Sequence, residues 1–453
     1  MSTPLPSRQR AMRLSLVEGV FFALMVGCGE FYFLADAVRL GASPLEQGLV
    51  ITLPLCVGAL GPILALTSLA RWRRRKVIVI IAAAMQALLL GGAAIADAMG
   101  WSSPRLLIAL VCVYQICGQA AGVAWSSWYG DVVTPEMRGR YFAKRNRLVH
   151  LSTCASLIGA GAGLQWLEPG SPGTVAAGVG GLGFAAVFTL AAVSRAVSAT
   201  LLAATPEPPV GPVPSMRAAM VLLRRSGSAG LRRLLLVVAA LQFFVYVGSP
   251  YFGPFMLEEL RFSYLEYTAG SIAVVLAKVA SLPRWGHAID RYGPRSVYLL
   301  AIVLVALIPL PWVWADGVAW VIVAQLLSGW AWGGHELAQF TFMLDSSHPR
   351  VRLHLFAALA ALAGGAQLLG GLVGGVLLGL VDRNFQILFI VTFAGRLLVA
   401  SVAPLLAPHS AGRAGIGRRH LLLRLVGVRP SGGLDHRPLP VTEEGDDDPD
   451  SVT

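Results

Sequence analysis

The sequence predicts an all-α polytopic membrane protein with twelve transmembrane helices. Three observations predict it. Of the 453 residues, 56% are hydrophobic and 13% are charged; a soluble domain carries about 25% charged residues, so this chain lacks the polar surface to cover itself in water. Its apolar stretches reach the ~20 residues that cross the hydrocarbon layer. The layout is also written twice. Asp131-x-x-x-Pro135-x-x-Arg138 returns as Asp345-x-x-x-Pro349-x-x-Arg352, each copy set between long apolar segments. The phenylalanine, arginine and alanine spacing of Phe184, Phe188, Arg195 and Ala199 returns in Phe385, Phe389, Arg396 and Ala400.

A basic N-terminus (1–13) with Arg8, Arg10 and Arg13 precedes the first span, 14–37. That span ends on Ala35-Asp36-Ala37 and resembles a signal peptide. Glu30 interrupts its apolar run, and the repeat needs it to match the seventh span, so retention is expected. Spans at 47–70, 77–98, 106–129, 148–168 and 177–203 complete a first half, 14–203. Glycines and prolines crowd the stretch between the fifth and sixth. In the linker, 204–233, Pro206, Pro208, Pro209, Pro212 and Pro214 forbid a regular helix at its start. Arg217, Arg224, Arg225, Arg232 and Arg233 follow, either on a plain tether or on a short amphipathic helix at the inner leaflet. The second half, 234–407, has spans at 234–256, 267–286, 296–314, 318–343, 354–380 and 385–407. The tail, 408–453, mixes Arg418, Arg419, His420 and Arg424 with leucines. It then turns acidic at Glu443 to Asp448, a composition that predicts disorder.

The formal charge of +12 reports orientation rather than nucleic acid. With the N-terminus inside, only Arg39, Arg105, Arg261 and Arg383 of the 36 Lys and Arg fall in the opposite loops. Arg195, Lys278 and Arg396 lie deeper in spans. This positive-inside pattern places both termini in the cytoplasm and the chain in the cytoplasmic (inner) membrane. The cysteines lie within spans with neither zinc nor redox spacing. No metal cluster, nucleophile triad or paired loop carboxylates suggest an enzyme, and no cofactor is expected.

Ionisable groups inside spans are expensive and usually functional. In the tenth span Gln325, Ser328, Trp332, Glu336 and Gln339 share one helical face, with His335 beside it. Gln115, Gln119, Ser126 and Tyr129 stripe the fourth span. Gln242, Tyr246 and Ser249 stripe the seventh, and Glu30 with Phe33 marks the first. Glu30 and Glu336 are the candidate proton carriers, since an apolar site raises a carboxyl toward neutral pH. His335 is a weaker candidate, and Glu18 reads as interfacial.

Between the eighth and ninth spans, Gly286-x-x-x-Asp290-Arg291-x-Gly293-x-Arg295 resembles the signature loop of the major facilitator superfamily. The resemblance extends over about 14–407. It implies two six-helix bundles around a mid-membrane site lined by spans one, four, seven and ten. In the family this loop latches the cytoplasmic gate. Gly286 would then allow close helix approach, and Asp290 would face the start of the eleventh span. Arg291 and Arg295 would meet acidic groups or lipid phosphate. The first half has Leu66 and Ala70 where Gly286 and Asp290 stand, but keeps charge in Arg71-Trp72-Arg73-Arg74-Arg75-Lys76. The loop around Asp131 is similar to those of many bacterial members; Asp131 with Arg138, and Asp345 with Arg352, would steady equivalent turns. Spans six and twelve are peripheral in the family, which implies that Arg195 and Arg396 snorkel to the inner interface. Lys278 could pair with a cavity carboxylate or snorkel. Glycines at 364, 365, 370, 371, 374 and 375 would allow close contact along the eleventh span. The fifth span lacks the Gly-Pro pair of the family's antiporter signature.

The expected function is secondary transport by alternating access: proton-coupled efflux of an amphipathic or cationic compound. Uptake of a sugar or other metabolite and a non-transporting sensor or scaffold are the alternatives. The expected partners are a small-molecule substrate, protons and membrane lipids, with no nucleic acid, around a monomer.

Overall fold

The computed structural model describes residues 5–133, 135–168, 181–208, 229–345 and 352–407. The expectations for the linker beyond 208 and for the acidic tail fall outside them.

Twelve helical segments follow one another, and the described residues contain no strand. Eleven are long and apolar enough to cross a membrane. The tenth, Val318–Asp345, is 28 residues long. It falls outside that group because Gln325, His335, Glu336 and Gln339 dilute its apolar face, the same residues that make it a candidate site. Boundaries differ modestly from expectation. The fifth helix begins earlier, at Pro135, and the sixth later, at Leu182.

The packing carries the duplication into space. In the first half, helix one packs on five and six, three on four and six, and two on four. In the second, seven packs on eleven and twelve, nine on ten and twelve, and eight on ten. Adding six to each number of the first set gives the second. Helix two also meets eleven, and five meets eight; these two crossings between halves are mates under the same rule.

Local structure repeats as well. The first helix, Leu5–Cys28, breaks into a 3-10 turn at Glu30–Tyr32 before resuming at Phe33–Arg39. The seventh, Ala229–Gly248, breaks at Ser249–Tyr251. Helices two and eight both start on a capping box, Ser43 with Glu46 and Ser263 with Glu266. Each serine and glutamate satisfies donors that helix geometry leaves unpaired. At the other end of those helices, Arg73 and Gly293 both take positive φ (51° and 80°). Gly293 does so without the steric cost that Arg73 bears.

The halves meet at the end remote from the termini. Tyr32 Oη and Thr268 Oγ1 are 2.7 Å apart, Gln47 Nε2 donates to Glu258 Oε1 (2.5 Å), and Tyr267 Oη donates to the Phe31 carbonyl (3.4 Å). The eleventh-span glycines make the closeness possible. A Cβ at Gly371 would strike Thr52 of the opposite half, and one at Gly374 would strike the Val247 carbonyl. Gly286 has no such neighbour, since a Cβ there would meet nothing within 4 Å. The expected close approach at Gly286 is therefore not found among the described residues.

Candidate functional site

Glu30 sits in the break of the first helix, where the 3-10 turn interrupts the regular bonding. It is exposed although its neighbours Gly29 and Tyr32 are buried. Tyr114 of the fourth helix donates to Glu30 Oε1 at 2.7 Å. Tyr114 is itself held edge-on by Phe33, with ring centroids 5.5 Å apart. Phe33 is only 7% exposed. It closes a small apolar hollow with Leu89, Leu90, Leu107 and Val111. The expectation that Phe33 lines the transport cavity is thus corrected: its ring positions Tyr114 instead.

In the second half, Lys278 Nζ of the eighth helix lies 2.6 Å from Glu336 Oε2 of the tenth. The two side chains are 38% and 52% exposed. A charged pair this open, well inside two spans, is incompatible with hydrocarbon and marks a watered face. Tyr246 lies within reach of the Glu336 charge. Gln242 accepts from Gln367 Nε2 of the eleventh helix at 3.3 Å. Gln325, Trp332 and Gln339 are half-buried, Gln115 likewise, and Gln119 is exposed.

His335 does not join them. It is 1% exposed, packed between Trp332 (5.2 Å) and Tyr298 (5.5 Å). Neither ring nitrogen has a hydrogen-bond partner. It faces the ninth helix, one residue round from Glu336 and away from Lys278.

Three other sequence expectations change. Glu18, expected at the interface, is 3% exposed, and Arg145 Nη2 donates to it at 3.0 Å. Arg195 does not snorkel; it is 3% exposed and donates to Gln86 Oε1 from Nε (2.9 Å) and Nη2 (2.7 Å) and to Ser198 Oγ (2.9 Å). Ser198 donates in turn to Glu18 Oε1 (2.9 Å), and Gln86 Nε2 donates to the Tyr114 carbonyl (3.2 Å). A buried polar chain therefore runs from Glu30 through Tyr114, Gln86, Arg195 and Ser198 to Glu18 and Arg145. Arg396 is also buried (1% exposed), but it donates to the carbonyls of Val305 and Val245 (3.2 and 3.0 Å). Snorkelling fails for both because helices six and twelve turn these faces inward, onto helices three and one, and nine and seven.

At the signature loop Asp290 is exposed and pairs with no described residue. Arg291 lies 5.6 Å over the Tyr292 ring. Arg295 pairs with no acid among the described residues: Nη2 donates to the carbonyls of Pro404 (3.2 Å) and Ala407 (3.5 Å), closing the end of the twelfth helix. Asp131 pairs with Arg75 Nη1 at 2.6 Å. The side chains of Arg138, Asp345 and Arg352 lie outside the described residues, so their expected pairings do as well.

Sequence reasoning passed over Tyr114, Gln86, Arg75 and Gln367. A usable signal existed for Gln86, a lone polar residue within an apolar span. Tyr114 gave none, because aromatic residues in a span usually pack.

The family description "Major Facilitator Superfamily" matches residues 249–428. Over that stretch, less than half of the chain, the sequence is similar to the major facilitator superfamily. Among solved structures, a point variant of the nucleoside transporter NupG superposes with a TM-score of 0.70 at 13% identity, over 88% of this chain and 100% of that one. A D-xylose-proton symporter gives 0.64 at 14%, over 90% and 98%. A bacterial homologue of the iron transporter ferroportin in an inward-facing state gives 0.63 at 17%, over 90% and 100%. No curated protein matches the sequence. That match and the eleven long apolar helices support reading the chain as a multi-pass membrane transporter rather than an enzyme.

Proposed function

We propose that this protein is a proton-coupled secondary transporter of the cytoplasmic membrane, with both termini inside, working by alternating access. The observation that carries the reading is the open Lys278–Glu336 pair at 2.6 Å inside the second half, set against the Tyr114-bound Glu30 of the first. Carboxyls in such sites bind and release protons as access switches. The sealed end, where Tyr32 meets Thr268, is then the outer one, and the structure is open inward.

Lys278 already neutralises Glu336, so Glu30 is the carboxylate left to meet a cationic solute, with Trp332 and Tyr246 offering aromatic faces. Export of an amphipathic or cationic compound is the leading reading. Uptake of a hydroxylated metabolite is the second, supported by Gln115, Gln119 and the bonded Gln242–Gln367 pair.

Thermal unfolding of the purified protein against a compound panel tests both, at pH 6 and pH 8, for wild type, Glu30→Gln and Glu336→Gln. A ligand at 100 times its Kd adds about 2.7 kcal/mol. A cationic hit lost in Glu30→Gln supports the first reading and a polyol hit the second. A hit indifferent to pH and to both substitutions removes the proton assignment.

A further inference from the structure

The sealed end holds a charge imbalance that the transport site does not use. Arg39 closes the outer piece of the first helix. It donates to Asp36 Oδ1 from Nε (2.8 Å) and Nη2 (2.5 Å), and to Asp97 Oδ1 of the third helix from Nη2 (2.6 Å). Its guanidinium lies 4.9 Å over the Phe184 ring of the sixth. Glu168, at the end of the fifth, feels the charges of Arg39 and Asp97, and Asp36 feels that of Glu168. Asp36, Asp97 and Glu168 are 1%, 5% and 6% exposed.

Three buried carboxyls thus share one guanidinium. The stretch 169–180 that continues from Glu168 contains no ionisable residue, so it supplies no second cation. The sixth helix brings the Phe184 ring, the Gly183 N–H, which donates to Glu168 Oε1 at 3.0 Å, and the Phe184 N–H beside the same carboxyl. Two buried carboxylate oxygens, Asp97 Oδ2 and Glu168 Oε2, accept no hydrogen bond within 3.5 Å from the described residues, although Ser102 lies beside Asp97 and the Phe184 N–H beside Glu168. The opposite half contributes Tyr264 of the eighth helix. Its ring meets Phe184 edge-on at 5.5 Å, and its buried Oη is without a partner.

Carboxylates that outnumber their counter-ion and leave oxygens without a donor are penalised when removed from water. Burial accordingly pushes the Glu168 carboxyl above its ordinary range, against the opposing pull of the Gly183 N–H and Arg39. A bound proton removes one charge and turns an orphan acceptor into a donor. Tyr264, brought by the opposite half, lies close enough to feel the charges of Glu168, Arg39 and Asp36.

We infer that Asp36, Asp97 and Glu168 form a proton-binding site assembled by closure of the outer end. One proton passes from outer water to a carboxylate oxygen as the halves close, and returns to that water as they part. The inference rests on alternating access as proposed above, but not on the roles of Glu30 and Glu336. The sign follows from linkage. The closed form binds more protons, so closure is favoured at low pH and lost as pH rises through the closed-state value of the cluster.

The test is a spin-label pair at Met99 and Leu380, exposed positions of 60% and 77% on opposite halves. It uses the full-length, bilayer-reconstituted chain with its native cysteines replaced. Distances are read from pH 5 to 9 without substrate, in wild type and in Glu30→Gln/Glu336→Gln. The expected closed-to-open ratio falls with rising pH, by at most tenfold per pH unit for one proton, in both backgrounds. Glu168→Gln and Asp97→Asn should each flatten the slope and keep the closed distance at high pH. A flat wild-type ratio overturns the inference, and this outcome needs no variant to fold. So does a slope untouched by both carboxamide variants, or one lost only with Glu30 and Glu336. If the distance also ignores every transported compound, the alternating-access reading falls with it.

Discussion

Arg75 and Arg295 hold equivalent places in the two halves; each donates to a proline carbonyl near its half's last helix, Arg75 beyond the end of that helix at Ala204 and Arg295 within the last turn of its own. Arg75 Nη2 donates to the Pro208 carbonyl at 3.2 Å, and Arg295 Nη2 to that of Pro404 at 3.2 Å. A cation at a helix C-terminus satisfies orphan carbonyls and opposes the dipole. The signature arginine is therefore kept in the first half, although Ala70 replaces the aspartate. Arg75 differs in also holding Asp131 (2.6 Å) and Glu207 (3.6 Å).

That difference predicts unequal losses. Arg295→Ala should cost about 1–2 kcal/mol, the upper range for a partly buried helix-end charge. Arg75→Ala should cost more, because it removes the cation beside Glu207, whose side chain is 14% exposed and keeps only the backbone N–H groups of residues 75 and 76. Thermal unfolding in detergent checks this; equal losses would contradict it.

Lys278 and Glu336 should matter for transport far more than for stability. Both are well exposed to solvent, so a double-mutant cycle on unfolding should return about 0.5–1 kcal/mol of coupling or less. Lys278→Met and Glu336→Gln should nevertheless each abolish coupled flux in proteoliposomes. Strong coupling in stability with intact flux would make the pair structural.

The two buried arginines should part company. Arg195→Met breaks the link from Gln86 to Ser198 and leaves Glu18 short of a partner. It should destabilise by about 3 kcal/mol, as expected when a buried charge loses its complement. Arg396 meets only carbonyls, and its Nε has no partner. Arg396→Met should be neutral or stabilising, since an apolar replacement removes a desolvated charge. Matched unfolding midpoints for the two variants would refute the distinction.

Gly371→Ala and Gly374→Ala separate contacts between halves from contacts within one. Gly374 abuts the Val247 carbonyl of its own half, so the added methyl should lower overall stability by about 1–3 kcal/mol. Gly371 abuts Thr52 across the interface. The chain relieves that clash by parting the halves, so Gly371→Ala should shift the population toward the outward-open form, tenfold for each 1.4 kcal/mol. Crosslinking between the second and eleventh helices reads the shift. A stability loss without a shift would place both glycines in one class.

Much of the architecture was legible in the sequence. Hydropathy and the two repeated motifs give the spans and their duplication, because lipid leaves the backbone no alternative to helices. Glu30, Glu336 and the tenth-span stripe stand out because polar groups in spans are rare. The roles of Arg195, Arg396 and Glu18 were misread, since their faces turn toward other helices rather than toward lipid, and spacing within one helix cannot report that. Phe33 and His335 erred likewise: one residue of rotation separates an open face from a packed one.

The sequence by itself determined the membrane class, the twofold plan and which polar side chains needed an explanation. Only the tertiary structure decided which of them meet: Lys278 with Glu336, Tyr114 with Glu30, Asp36 and Asp97 with Arg39. The reason is physical. Span formation depends on transfer to lipid and on local hydrogen bonding, both summed along the chain. A charge's partner depends on helices brought together from distant positions, and on which end of the bundle is closed.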